Sequence, residues 1–223
     1  GETFSESREY DALNRLVSAT APDGSVFTPT YNEASLLEAV EVAVRGGAAR
    51  TFVRNIDYDA KGQRTRIEYS DEDPGDAMAD APTFLTEYTY DPLTFRLSQL
   101  VTTRVSDSRV LQDLSYTLDP VGNIVRIIDD AQQTTFFNNA VVLPENGYLY
   151  DAFYRLIKAT GREHASIGDV QVDDTDTAIV TLPHANMSDA VRNYEETFSY
   201  DKIGNILSMF HDAEGSPHAT WTR

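Results

Sequence analysis

The chain has 223 residues, 36 acidic against 18 basic, giving a formal net charge of −18 at pH 7 and an isoelectric point near 4.4. That field repels nucleic-acid phosphate and anionic lipid, and Arg and Lys occur singly or in loose pairs without a basic patch, so neither is expected as a partner. Cysteine is absent, which excludes disulfides and a cysteine nucleophile, and no apolar run approaches the ~18 residues of a membrane-spanning helix, so no membrane insertion is expected.

The start, GETFSESREY, has no basic and apolar signal-peptide pattern. The first recognisable unit is YDALNRL, with Tyr10 and Asp11 ahead of a short turn. The unit returns more weakly at Tyr31-Asn32, then as YDAKGQR (Tyr58, Asp59, Gly62), YDPLTFRL (Tyr90, Asp91) and LDPVGNI (Asp119, Gly122, Asn123). Two further copies are YDAFYRL (Tyr150, Asp151) and YDKIGNI (Tyr200, Asp201, Gly204, Asn205). In Asp119-Pro120-Val121-Gly122, aspartate suits the first position of a type I turn, proline presets φ at the second, and glycine accepts the left-handed fourth. Asn14 takes the glycine place in the first copy. Tyr154 takes it in the Asp151 copy, which should cost stability or force a different turn, and an extra residue before Leu97 implies a longer loop after Asp91.

The approaches to the turns alternate apolar and polar, as in Ile56 and Tyr58, Tyr88 and Tyr90, Tyr116 and Leu118, Tyr148 and Tyr150, and Phe198 and Tyr200. β-rich runs follow, such as 123–128 and 205–210, so the unit reads strand, tight turn, strand. The stretch 32–45 has Leu36, Leu37, Val40 and Val44 at helical spacing but also contains VEVAV. Hairpins on both sides favour a strand. Segments 70–82 and 164–190, the latter with an acidic run from Asp169 to Asp176, read as solvated loops. The fold class expected is all-β, with repeated antiparallel hairpins forming a curved or spiralling sheet strip over residues 1–223 as one segment.

Six or seven Tyr-Asp turns in register, the stretches YDALNRLVSATAPDGS and YDAFYRLIKATGREH, and NYEETFSYDKIGNILSMFHDAEG with the closing WTR resemble the Rhs or YD repeats of bacterial polymorphic toxins. They look closest to the B-component side of insecticidal toxin complexes and to SpvB/TcdB-like proteins, among the shell-forming B/C components. The resemblance implies a β-sheet strip that spirals into a hollow shell around a toxic polypeptide. The segment would then be non-enzymatic and part of a much larger protein. Its partners would be the rest of the shell and the enclosed polypeptide, and it would be secreted as part of a toxin complex. An alternative is an extracellular adhesion or carbohydrate-binding surface of the teneurin-like kind. A β-rich enzyme is a third reading.

Candidate chemistry beyond the turns is thin. The four histidines lie in no HExxH or close metal pair, and Glu163-His164 and His211-Asp212 read as hydrogen-bonded residues near strand ends. Asp169, Asp173, Asp174 and Asp176 lack the glycine and terminal glutamate of a calcium loop. No catalytic residue, cofactor or metal is therefore expected. The repeated aspartates read as turn caps, and the tyrosines as a ladder of cross-strand contacts. A face lined by Tyr58, Tyr90, Tyr116, Tyr150 and Tyr200, together with open strand edges, makes self-association of the segment an expectation.

Overall fold

The computed structural model describes residues 5–70, 82–165, 189–213 and 219–222. Most of both expected loops, including Asp169 to Asp176, and also His184 and His218, lie outside the described residues. The chain forms two compact units, Gly1–Gln112 and Asp113–Arg223. Both are built from antiparallel strands. Among the described residues the one helical stretch is a 3-10 turn at Val44–Gly46.

In the first unit eight strands pair in chain order: β1 (Ser7–Tyr10), β2 (Leu16–Thr20), β3 (Val26–Tyr31), β4 (Leu37–Ala43), β5 (Ala49–Tyr58), β6 (Arg64–Tyr69), β7 (Phe84–Tyr90) and β8 (Leu97–Arg104). β4 settles the ambiguous stretch as a strand. Val40 pairs with Pro29 on one side and Val53 on the other, contacts a helix would forfeit.

The second unit begins inside β9 (Arg109–Leu118). It continues with β10 (Ile124–Asp129), β13 (Glu145–Tyr150), β14 (Leu156–His164), β15 (Val191–Tyr200), β16 (Ile206–Ala213) and β17 (Ala219–Thr222). Between β10 and β13 the chain forms a separate two-stranded hairpin, β11 (Thr135–Phe137) with β12 (Ala140–Val142). It is tied to the sheet by the Asn193 side-chain amide donating to the Val141 carbonyl and by Arg162 donating to the Gln133 carbonyl, each at 3.2 Å.

Among the described residues few apolar side chains are fully buried, and they are mostly small. Val42, Ile56 and Ile67 are buried in the first unit, and Val142, Ala159, Ala165, Ala190 and Ala213 in the second. Ile56 faces Ile67, and Ile67 faces Thr86, whose hydroxyl lies 2.9 Å from that of Thr102. The core is thus a set of cross-strand rows on a sheet rather than a packed centre.

Candidate functional site

Seven turns share one construction. In the turn after β9, Asp119 N–H donates to the Asn123 carbonyl at 2.9 Å and Gly122 N–H to the Asp119 carbonyl at 3.1 Å. The Asp119 Oδ1 accepts the N–H groups of Val121 (3.0 Å), Gly122 (2.7 Å) and Asn123 (2.8 Å), and Oδ2 accepts the Asn123 side-chain amide at 2.8 Å. Asp201 repeats this with Ile203, Asn205 and the Asn205 amide. Asp11 and Asp151 hold the fourth-following residue in the same way, but arginine replaces asparagine: Arg15 Nε and Arg155 Nε each donate to Oδ2 at 2.7 Å. Asp59 Oδ1 accepts the N–H groups of Lys61 and Gln63, and Asn32 stands in with its amide oxygen toward Leu36. The Asp91 turn is one residue longer, closing on the Arg96 carbonyl.

The fourth position is left-handed in six of these turns: Gly62, Gly122 and Gly204 have φ of 79°, 108° and 94°, and Asn14, Ser35 and Tyr154 lie at 61° to 62°, while in the longer Asp91 turn the left-handed residue is the fifth, Phe95, at 59°. Tyr154 therefore keeps the same turn despite its side chain. At Asp11, Asp151 and Asp201 the gathered donors hold the carboxylate below the usual aspartate range. The backbone N–H of Arg15 contributes most at Asp11, that of Arg155 at Asp151, and the Asn205 amide at Asp201.

After each turn the ladder slips by one residue. Tyr58 pairs with Arg64 but Asp57 with Arg66, and Tyr150 pairs with Leu156 but Leu149 with Lys158. The same slip follows Tyr10, Tyr31, Tyr90, Leu118 and Tyr200. Ladders between successive hairpins stop short of this point. β6 meets β7 only from Arg66 onward, and β14 meets β15 only from Lys158 onward. The residue opposite each tyrosine is thus left with a carbonyl beyond the ladder.

The tyrosine of the next hairpin fills that place. Tyr31 donates its hydroxyl to the Leu16 carbonyl (2.9 Å), Tyr58 to Leu37 (2.6 Å), Tyr90 to Arg64 (2.8 Å), Tyr150 to Ile124 (2.9 Å) and Tyr200 to Leu156 (2.6 Å). Burial holds the phenols of Tyr90 and Tyr150 above the usual tyrosine value, with Asp59 adding to it at Tyr90 and Tyr148 then Asp119 at Tyr150, in keeping with donors that stay protonated. Leu118 has no hydroxyl to offer. Tyr10 is exposed, and its hydroxyl meets no carbonyl among the described residues.

A second polar cluster lies across β14, β15 and β16. Glu163 pairs with Arg192 at 2.8 Å, with their side chains 11% and 4% exposed. His211 places Nδ1 3.2 Å from Glu196 Oε1 and Nε2 3.1 Å from Glu163 Oε2, the latter near enough for an ion pair but not aligned for a hydrogen bond. Its ring stacks on Tyr194 at 5.4 Å. In sequence Glu163 and His211 stood out only beside His164 and Asp212. The register brings them instead to Arg192 and Glu196, and no local motif marks that. Among the described residues no group of His, Asp or Glu is disposed to hold a metal.

No family model matches the chain. It is 33% identical over 95% of its length to Toxin subunit YenC2 of Yersinia entomophaga, and 32% identical over 99% to Toxin subunit YenC1 of the same organism. Its fold matches the crystal structure of TcdB2-TccC3-Cdc42 with a TM-score of 0.69 and 34% identity over 98% of the chain. The chain is built of Rhs/YD repeats similar to those of toxin-complex subunits. The Photorhabdus luminescens Tc holotoxin pore agrees, with a TM-score of 0.68 and 33% identity over 98% of the chain. The YD-repeat chain spans 21% of the length of the two curated relatives and 10% of the TcdB2-TccC3-Cdc42 chain.

Proposed function

We propose that the chain is a non-catalytic wall segment of a larger Rhs/YD-repeat shell, which encloses a toxic polypeptide for delivery outside the producing cell. In this reading Tyr10, Asp11, Tyr58, Asp59, Gly62, Tyr90, Asp91, Asp119, Gly122, Asn123, Tyr150, Asp151, Tyr200, Asp201, Gly204 and Asn205 are structural turn residues. The observation that carries it is where the repeated polar groups are used. The aspartates accept hydrogen bonds within their own turns, and five tyrosine hydroxyls bind the backbone of the preceding hairpin. Groups engaged in this way hold strands together and leave no repeated acid or nucleophile for substrate. The similarity to toxin subunits over nearly the whole chain supports the same reading.

The test uses the full-length polypeptide that contains these residues, with its enclosed partner. Protease digestion followed by mass spectrometry should show the enclosed polypeptide surviving conditions that destroy it when free. Equal digestion rates would sink the enclosure. Hydrolytic turnover or glycan binding by these repeats would instead favour an enzyme or an adhesive surface.

A further inference from the structure

The third residue of each turn stands at its tip. In the second unit these residues are Val121, Phe153 and Ile203, with exposures of 56%, 79% and 85%. They follow one another along the sheet, because β10 pairs with β13 and β14 with β15. In the first unit, taken by itself, the same turn position holds Leu13, Ala34, Lys61 and Leu93, so the large apolar tips there are the exposed Leu13 and Leu93. Turn tips ordinarily favour small or polar residues, so a row of large aliphatic and aromatic side chains marks a contact surface. Lys202 is the one charged residue among tip positions 120–122, 152–154 and 202–204, in a protein whose net charge is −18.

A groove of about 510 Å³ separates the Phe153 and Ile203 tips, with Tyr200 and Arg155 among its walls. Arg155 is fixed there. Its Nε binds Asp151 Oδ2 at 2.7 Å, Nη1 donates to the Asp201 carbonyl at 3.1 Å, and the guanidinium lies 4.8 Å from the Tyr200 ring centre. Each hairpin is two strands wide, so tips recur about every 10 Å along the sheet. A partner that seats one side chain in each gap must share that period, and a row of YD hairpins does. The relatives are long enough to carry such rows, since this chain spans only 21% of their length.

We propose that this tip edge docks against another row of YD-hairpin tips within the same longer polypeptide, with apolar residues of one row entering the gaps of the other. The proposal rests on the shell-segment reading and names the contact that would join one part of the wall to another.

The chain has no cysteine, so Val121→Cys, Phe153→Cys and Ile203→Cys each introduce one addressable thiol into this segment. In the full-length polypeptide, maleimide labelling mapped by peptide mass spectrometry should run at least about tenfold slower at each site than in the same polypeptide unfolded in urea. Labelling as fast as in urea at all three sites would overturn the docking. So would protection that appears only with an added subunit, or that rises with protein concentration, since the edge would then belong to another chain. Protease resistance of the enclosed polypeptide, followed in the same samples, separates the two failures. If it persists while the tips label fast, only the docking is wrong; if both protections are missing, the shell reading fails.

Discussion

Tyr154 stands at φ 62° in the position that Gly122 and Gly204 hold at 108° and 94°. A β-carbon crowds the following carbonyl there, so Tyr154→Gly should raise stability by about 1 kcal/mol, read from the urea midpoint. The reverse change, Gly204→Val, should cost about 1 kcal/mol or more. A β-carbon at Gly204 would meet nothing within 4 Å, so that loss is conformational rather than steric contact. Unchanged midpoints for both variants would mean these positions are not left-handed in solution. The turn aspartates make a separate contribution to stability. Asp11, Asp151 and Asp201 titrate below the ordinary carboxylate value because N–H donors favour the charged form. A depressed native pKa adds stability above the unfolded value of about 4, and that stability is lost as pH falls through the lower native values. Asn32 already performs the Oδ1 half of this turn without a titrating group. Replacing Asp11, Asp151 and Asp201 by Asn should therefore flatten the loss of stability below about pH 4 in acid-unfolding curves. A curve as steep as the wild type's would place the acid sensitivity elsewhere.

Strands β14, β15 and β16 combine two packing devices. Gly161 sits where a β-carbon would come within 2.8 Å of the Tyr194 hydroxyl, so the phenol lies directly over its backbone. Two residues along, Glu163 meets Arg192 away from water. Removing one member of such a pair leaves the other charge buried and uncompensated, so Arg192→Met should cost about 3 kcal/mol in chemical unfolding. The double change Glu163→Leu with Arg192→Met should recover much of that loss, since neither charge then remains. A double variant no more stable than the single one would show that other partners hold the cluster. The turns were legible in sequence and this cluster was not, because of distance along the chain. Asp119 reaches residues only two to four positions on, so local chemistry gives it away. Glu163 and Arg192 are 29 positions apart, and only the register of β14 against β15 makes them neighbours.

Across the whole molecule the same contrast explains the tyrosines. Alternation and repetition place them at strand ends, where they read as a ladder of flat faces. Their hydroxyl partners lie from 15 residues back, for Tyr31, to 44 residues back, for Tyr200. That separation varies with the outer loops, so no fixed spacing reveals it. What stays constant is the ladder slip, which leaves a carbonyl at the same place after every turn. With so few large side chains buried among the described residues, bonds between hairpins carry much of the cohesion there. The most direct test is urea unfolding of variants in which Tyr31, Tyr58, Tyr90, Tyr150 and Tyr200 are changed to Phe, singly and together, beside Tyr10→Phe. Each single change at the five should cost about 1 kcal/mol, with losses accumulating in the combined variant, while Tyr10→Phe should leave the midpoint unmoved. A combined variant as stable as the wild type, or a Tyr10→Phe loss equal to the others, would contradict the coupling of hairpins through their tyrosine hydroxyls.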